Sequence, residues 1–398
     1  MTNADADGQG RWHEVLIAFL FLGCTSFGGP IAHIGYFREA FVTRRRWLDA
    51  DSFTDLLALC QLLPGPASSQ LGMAIGHRRA GWAGALSAWI GFTLPSALLM
   101  TGLAWGFDLL AGGGVLIHGL KLAAVAVVAQ AVWLMARQFA TGPRSAGIAI
   151  IATLACILTA GAWVQISVIL LGAAAGAVLL AFAPRAPAVP GRPIGRLLGM
   201  ALLLLFLVLL LGLPLLAVSQ RSAELAQFDA YFRAGSLVFG GGHVVLPLLE
   251  QGLVATGAIA RDPFLAAYGA AQALPGPLFA VAAYPGFLGA PGGIAGAGLA
   301  LLAIFLPGAL LLFGVMPFWS RLIRQPAIGP ALAGANAAVV GLLAAALWNP
   351  LLTTTIGRWT DLVIIAVTLL ALIRFHMPPL FVVAACLASA LLSAQILQ

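Results

Sequence analysis

"QLLPGPASSQ" occupies residues 61–70 and "QALPGP" residues 272–277, so one Gln-x-Leu-Pro-Gly-Pro element occurs twice, 211 residues apart. Both copies interrupt apolar segments. The prolines remove backbone donors and end a helix, and the glycine permits the turn between them. The flanking segments 53–63 and 67–76 are short: at 1.5 Å per residue each reaches roughly 16 Å, about half the hydrocarbon thickness of a bilayer. Arg44, Arg45 and Arg46 precede the first pair of segments, and Arg78 and Arg79 follow it. Basic residues favour the cytoplasmic side. The pair is therefore expected to enter and leave on the cytoplasmic face, as a hairpin tipped by Pro64, Gly65 and Pro66.

Composition supplies the membrane. Of 398 residues, 61% are hydrophobic and 8% charged, whereas an ordinary soluble domain is about 25% charged. So few charges cannot cover a water-facing surface of this size, and the reading is an all-α polytopic membrane protein. A transmembrane barrel needs alternating strands, and the long Leu/Ala/Val runs do not alternate. The polar N-terminus "MTNADADGQGRWHE" lacks the basic region of a signal peptide, so insertion is expected to use the first apolar helices. Cys24, Cys60, Cys156 and Cys386 are isolated in apolar runs and read as small core residues, not a disulfide set or metal cluster. The net charge of +7 reports orientation and not nucleic-acid binding. Trp12, Trp47, Trp82, Trp319 and Trp359 lie near expected helix ends, the aromatic-belt pattern.

Four further matches run collinear with the repeated element. "FGGPIAHI" (27–34) matches "FGGGHVVL" (239–246), and Asp51 and Phe53 match Asp262 and Phe264. "AGWAGALSAWIGFTLPSALLM" (80–100) matches "GGIAGAGLALLAIFLPGALLL" (292–312), and "GLKLAAVAVV" (119–128) matches "GANAAVVGLL" (334–343). The chain is read as two homologous repeats, 12–183 and 230–396. Arg38, Arg44–Arg46, Arg78 and Arg79 crowd the first repeat's early loops, where the second has only Arg261; one helix later the asymmetry reverses, with Arg321 and Arg324 in the second repeat. Corresponding loops thus face opposite sides, and the repeats are inverted. The segment 184–229, a basic linker followed by the uncharged run 197–218, supplies the extra transmembrane helix that flips the second copy. The N-terminus is expected in the cytoplasm and the C-terminus in the periplasm. Inverted repeats are a transporter architecture, with the substrate near the midplane at the repeat interface.

Broken helices at membrane depth are tolerated when buried in protein or lining a cavity, and their free N–H groups suit an anion. Four breaks are expected to converge on one anion pathway: Gly28, Gly29 and Pro30; Pro64, Gly65 and Pro66; Gly240, Gly241 and Gly242; and Pro275, Gly276 and Pro277. Ser68, Ser69 and Gln70 add donors after the first hairpin tip; "LFAV" in the second copy does not, so the site is asymmetric. Gln61 and Gln272 are repeat-equivalent and either line the path or cap backbone. Lys121, about seven residues or roughly 10 Å inside its segment, either faces an aqueous path or snorkels to the interface; Asn336 is its neutral counterpart. His33 and His243 follow the Gly-rich breaks and are candidates for proton coupling, with polar packing as the alternative. Glu39 and Glu250 read as loop or interface charges.

"FGGPIAHIGYF", "LCQLLPGPASSQLGMAIGHRRAGWAGAL", "FTLPSALLM", "GLKLAAVAVVAQAV", "FGGGHVVLPLLE", "AAQALPGPLFAVAAYPG" and "NAAVVGLLAAALWNP" resemble the chromate ion transporter family, in its long-chain, two-domain form. The resemblance spans nearly the whole chain outside the polar N-terminus and the linker. It implies export of chromate across the bacterial inner membrane, chromate resistance, and antiport driven by the proton-motive force. It also implies sulfate as competitor or related substrate. The alternative is a permease for sulfate or another divalent oxyanion working inward. No cofactor is expected; the partners are chromate, protons, the lipid bilayer and, as one assembly the sequence allows, a homodimer. An enzyme would need clustered His, Cys, Asp or Glu, and these residues are scattered.

Overall fold

The computed structural model describes residues 10–106, 114–159, 162–180, 194–238, 245–322 and 325–396, and all regular structure among them is helical. Helix α1 (Trp12–Thr25) stops before Gly28, whose φ of +96° only glycine adopts easily, and α2 (Gly29–Arg38) restarts the chain and continues as a π turn over Glu39–Arg44. Helix α3 (Ala50–Leu62) is capped by Asp49, whose carboxylate accepts from the Ser52 amide at 2.8 Å. It ends because a residue preceding proline is pushed out of the helical region: Leu63, before Pro64, is extended. Helix α4 (Ala67–Trp105) starts after Pro66 and turns sharply at Ala80–Gly81, where Gly81 has φ +64° and ψ −152°. Helices α5 (Gly114–Phe139), α6 (Pro143–Leu158) and α7 (Ala162–Leu179) complete the first repeat.

A single helix, α8 (Arg196–Gln220), joins the repeats. Its apolar window has a mean hydropathy of 3.0 and is only 11% buried, as expected of a helix bathed in lipid. The second repeat runs α9 (Ala223–Leu237), α10 (Val245–Leu249, extended by a π turn to Val254), α11 (Arg261–Ala271) and α12 (Ala283–Leu288). It continues with α13 (Gly293–Val315), α14 (Ile328–Ala346), α15 (Trp359–Arg374) and α16 (Pro379–Ile396). The copies part company after the hairpin tip. Past Pro66 the chain enters α-helix directly, whereas past Pro277 it forms a 3-10 segment, Leu278–Ala282, before α12.

Packing repeats along with the sequence. Helix α1 lies along α4, and its equivalent α9 lies along α13. Both contacts are backbone-close: a Cβ on Gly23 would sit 2.6 Å from the Gly91 carbonyl oxygen, and one on the equivalent Gly235 2.9 Å from Pro307 Cγ. Small residues at helix interfaces are how membrane helices gain van der Waals contact. The last two helices of each repeat cross over. Helices α6 and α7 pack on α14 of the second repeat, while α15 and α16 pack on α5 of the first. Gly119 of α5 faces Leu387 of α16, 3.0 Å from a would-be Cβ to its Cα, and the matching Gly334 of α14 faces Gly176 of α7. The largest buried cluster accordingly takes side chains from both repeats.

Among the described residues five helices are long and apolar enough to span a bilayer, including α4, α5 and α8. The protein is an all-α, multi-pass membrane protein of two repeats with broken half-helices, joined by one extra apolar helix. One sequence expectation is corrected. Cys60 and Cys386 are buried, but Cys24 is exposed, because it shares the outer face of α1 with Phe21, 67% exposed, and Ile17, 62% exposed.

Candidate functional site

A helix that stops in mid-protein leaves carbonyl and amide groups needing partners. The two repeats supply these to each other. The Gly65 amide at the first hairpin tip donates to the Val238 carbonyl at 2.7 Å, and the Gly276 amide at the second tip donates to the Ser26 carbonyl at 2.9 Å. Gly65 and Gly276 are repeat-equivalent, and so are Ser26 and Val238. The two bonds are therefore mates under a pseudo-two-fold. The fit leaves no room for a methyl group: a Cβ on Gly276 would lie 2.8 Å from Ser96 Oγ and 3.0 Å from the Phe92 carbonyl oxygen, and one on Gly65 3.0 Å from Gly308 Cα. Both glycines also need positive φ, +120° and +87°. Gln70 pins the first tip, its Nε2 donating to the carbonyls of Pro64 and Gly308 at 3.0 Å each.

Around these tips lies a cavity of about 550 Å³. Gly28, Gly29 and Pro30 of the first break line it, with Gly65 and Gly276 of the tips and both Gln61 and Gln272. Gly240, Gly241, Gly242 and His243 lie outside the described residues; three of the four expected breaks are thus described, and they meet. Two helices begin at the cavity, α2 at Gly29 and α4 at Ala67, and neither has a side-chain cap on its first amides. Gln272 is 9% exposed; the Tyr268 hydroxyl bonds its side chain, and its Nε2 donor has no partner. The wall contains no Asp, Glu, Lys or Arg among the described residues.

The other expected site residues sit elsewhere. Ser68, Ser69 and Gln70 are buried behind the first tip and do not line the cavity; the Ser69 hydroxyl has no partner. His33 is 1% exposed and its Nε2 meets the Ser26 carbonyl at 3.2 Å, so it braces the break. Asn336 is buried in α14. Lys121 neither snorkels nor reaches the cavity: its Nζ donates to Asp262 of the second repeat at 2.8 Å. One turn away, His118 bonds Asp361 of α15 at 2.9 Å. Both pairs hold the starting end of α5 to the second repeat, whereas the cavity is lined by the opposite end, Val127 to Phe139. Helix α11 packs along α5, but its equivalent α3 makes no comparable contact with α14. The structure is thus closed around the Lys121–Asp262 end and open at the other. Glu39 and Glu250 do not lie in loops but open the π turns that follow α2 and α10, where they pair with Arg44 and Arg261, each at 2.9 Å.

Several polar groups of the wall escaped the sequence reading: Tyr36, Gln130, Gln138 and His376. Gln130 and Gln138 lie eight residues apart in a stretch of α5 whose one other polar residue is Arg137, near one helical face, a signal that was present. His376 carried none, because nothing in sequence joins the α15–α16 loop to the breaks.

A family model described as "Chromate transporter" matches the chain twice, over 13–179 and 225–391, the same two repeats that the packing defines. The chain is 29% identical to a "Probable chromate transport protein" of Synechococcus elongatus over 82% of its length and 81% of that protein's. It is 28% identical to a "Chromate transport protein" of Pseudomonas aeruginosa, over 83% and 79%. It is likewise 28% identical to one of Cupriavidus metallidurans, over 84% and 81%. No solved structure matches it. With both repeats matched and the interlocked breaks built from the matched segments, the chain belongs to the chromate transporter family.

Proposed function

We propose that this protein is a secondary transporter that carries chromate out of the bacterial cytoplasm across the inner membrane, as an antiporter driven by the proton-motive force, and so confers chromate resistance. The observation that carries the reading is the cavity where three backbone breaks and the Gln61–Gln272 pair meet at the repeat interface. Its size falls among ordinary small-ligand pockets, ~300–1,000 Å³, and holds a tetrahedral dianion with part of its hydration. The starts of α2 and α4 bring unpaired N–H groups and the positive ends of helix dipoles. Amide side chains add neutral donors. Such a wall binds an anion without a fixed buried cation, and so lets it leave again. The anion itself comes from the names of the relatives.

The repeats insert in opposite senses, α8 being the helix that inverts the second copy, and the chain divides at 12–183, 184–229 and 230–396. The cavity opens to the cytoplasm, because the segments bordering it carry Arg38, Arg44–Arg46, Arg137 and Arg374, and basic residues favour that side. The Lys121–Asp262 and His118–Asp361 pairs then close the periplasmic side. This is a loading state for export.

The test is flux of labelled chromate into everted membrane vesicles, with and without an imposed pH gradient and with excess sulfate. Uptake above control vesicles, raised by the gradient and competed by sulfate, is expected; no uptake overturns the proposal. Neutral donors discriminate poorly between tetrahedral dianions, which favours one second reading, a sulfate permease running inward. Sulfate accumulation by intact cells without chromate export would select it.

A further inference from the structure

We infer that the protein has a second state in which the two repeats exchange shapes: α3 closes on α14, with Asp51 meeting Asn336, while α11 leaves α5. A helical stripe present in both copies carries this. On α11 it is Asp262, Leu265, Gly269 and Gln272, spaced three, four and three residues apart, so they share one face. That face is shut against α5: Asp262 bonds Lys121, a Cβ on Gly269 would collide with the Leu120 carbonyl, Leu265 is 1% exposed and Gln272 9%. The mates on α3 are Asp51, Thr54, Ala58 and Gln61. Here Asp51, Thr54 and Gln61 are exposed and Ala58 is half-buried, and α3 makes no comparable contact with α14. Three of the four are polar, a composition unsuited to lipid, and Gln61 lines the cavity. The stripe therefore fronts the open end of the molecule. Its receiving positions on α14, the mates of Leu120 and Lys121, are Ala335 and Asn336. Asn336 is buried and its Oδ1 has no partner, and its Nδ2 is a donor suited to the Asp51 carboxylate.

Inverted repeats move as units against each other around a fixed site, so a contact made by one copy is open to its mate when the two trade shapes. The two closures differ in strength. At α5 an ion pair forms and a glycine lets the backbones touch. At α14 a neutral amide faces the carboxylate, and the Ala58 methyl group keeps α3 farther off. The α11 closure is the stronger, which is why the described state is the one with α11 shut. The exchange also changes which amide meets the anion. Gln61 is now exposed in the cavity wall, whereas Gln272 is buried with its Nε2 unpaired. A buried donor without a partner is costly, and opening of α11 relieves that cost. The anion thus passes from Gln61 to Gln272 as one stripe closes and the other opens.

The inference rests on the transport reading for the need of a second state, so its test uses no chromate. In full-length protein whose native cysteines are replaced, Ala58→Cys and Ala335→Cys, at the mates of Gly269 and Leu120, are combined and oxidised in membranes. A disulfide is expected, forming about tenfold faster when Lys121→Met and Asp262→Asn remove the opposing ion pair. Leu56→Cys, at a position 2% exposed on the other side of α3, is expected to give no link to Ala335→Cys. A second variant needs no disulfide. Asn336→Lys copies the α5 ion pair onto α14 and is expected to speed labelling of Ala267→Cys on α11 about tenfold; adding Asp51→Asn returns the rate to its starting value. Absence of the link, an equal link from Leu56→Cys, or fast labelling that survives Asp51→Asn overturns the inference. Chromate flux is then measured in everted vesicles. Link formation without flux in the unlinked protein leaves the inference standing and fells the transport reading. Flux without any link fells the inference alone, as does flux that continues in the linked protein.

Discussion

The Lys121–Asp262 pair is expected to hold the protein in the state described here, and its strength can be worked from the geometry. Nζ and Oδ1 are 2.8 Å apart, with the lysine side chain 10% exposed and the aspartate 62%. At an effective dielectric near 20 two unit charges at that separation attract by ~6 kcal/mol, and desolvating the ammonium returns several of these. With Asp262 largely in solvent, the net is expected at ~1–2 kcal/mol, toward the upper end for a part-exposed pair. That shifts a two-state population about tenfold. Removing Asp262 alone costs more than removing both partners, because it strands a buried ammonium. The assay is a double-mutant cycle of Lys121→Met and Asp262→Asn, in a protein whose native cysteines are replaced and whose Ala267, 1% exposed on α11, is changed to Cys. The rate of labelling at that Cys by an impermeant thiol reagent reports how often α11 leaves α5. Asp262→Asn is expected to speed labelling the most and the double variant by about tenfold; the charge-swapped double variant Lys121→Asp with Asp262→Lys restores part of the protection. Additive single effects with no coupling would refute the latch.

Gly276→Ala is expected to lower both stability and flux, since a methyl group meets Ser96 Oγ at 2.8 Å and the positive φ adds ~1 kcal/mol of strain; unchanged thermal melting of the purified protein would count against the interlocked tips. Gln272→Leu removes a buried donor without a partner, a liability of ~1–3 kcal/mol. Because the change also strands the buried Tyr268 hydroxyl that bonds this amide, no gain in melting temperature is expected; the KM for the oxyanion should rise, and an unchanged KM would show that the amide only packs. Single cysteines at 141 and 354, both exposed, should be labelled from opposite sides of the membrane; labelling from one side would rule out insertion of the repeats in opposite senses.

The breaks were legible because proline and glycine act locally: a lost donor or a required positive φ can be read at Pro64 or Gly65 without knowing the neighbours. The duplication was legible for the same reason, since both copies retain these punctuating residues. What could not be read was which repeat each break would lean on. Comparing the copies aligned Asp51 with Asp262 but gave no hint that Lys121 would reach the second of them, because that contact depends on α11 packing along α5. Serines 68 and 69 were expected at the path on chemical type alone; the helix beginning at Ala67 turns them into the interior. The different helix types after the two tips were hidden too, since "ASSQ" and "LFAV" are both compatible with an α-helix.

Because each tip seats on the other repeat and each closing pair of helices clasps the opposite half, the two copies left by the duplication have stopped being interchangeable parts. Drift at Phe92 or Ser96 in one copy is vetted by Gly276 in the other, so the halves can lose resemblance in letters while remaining bound in shape. A single half made alone would carry an open break and an uncovered α5 or α14 groove. Severing the chain within the linker should therefore be harmless when both pieces are synthesised together, and fatal to either piece raised by itself.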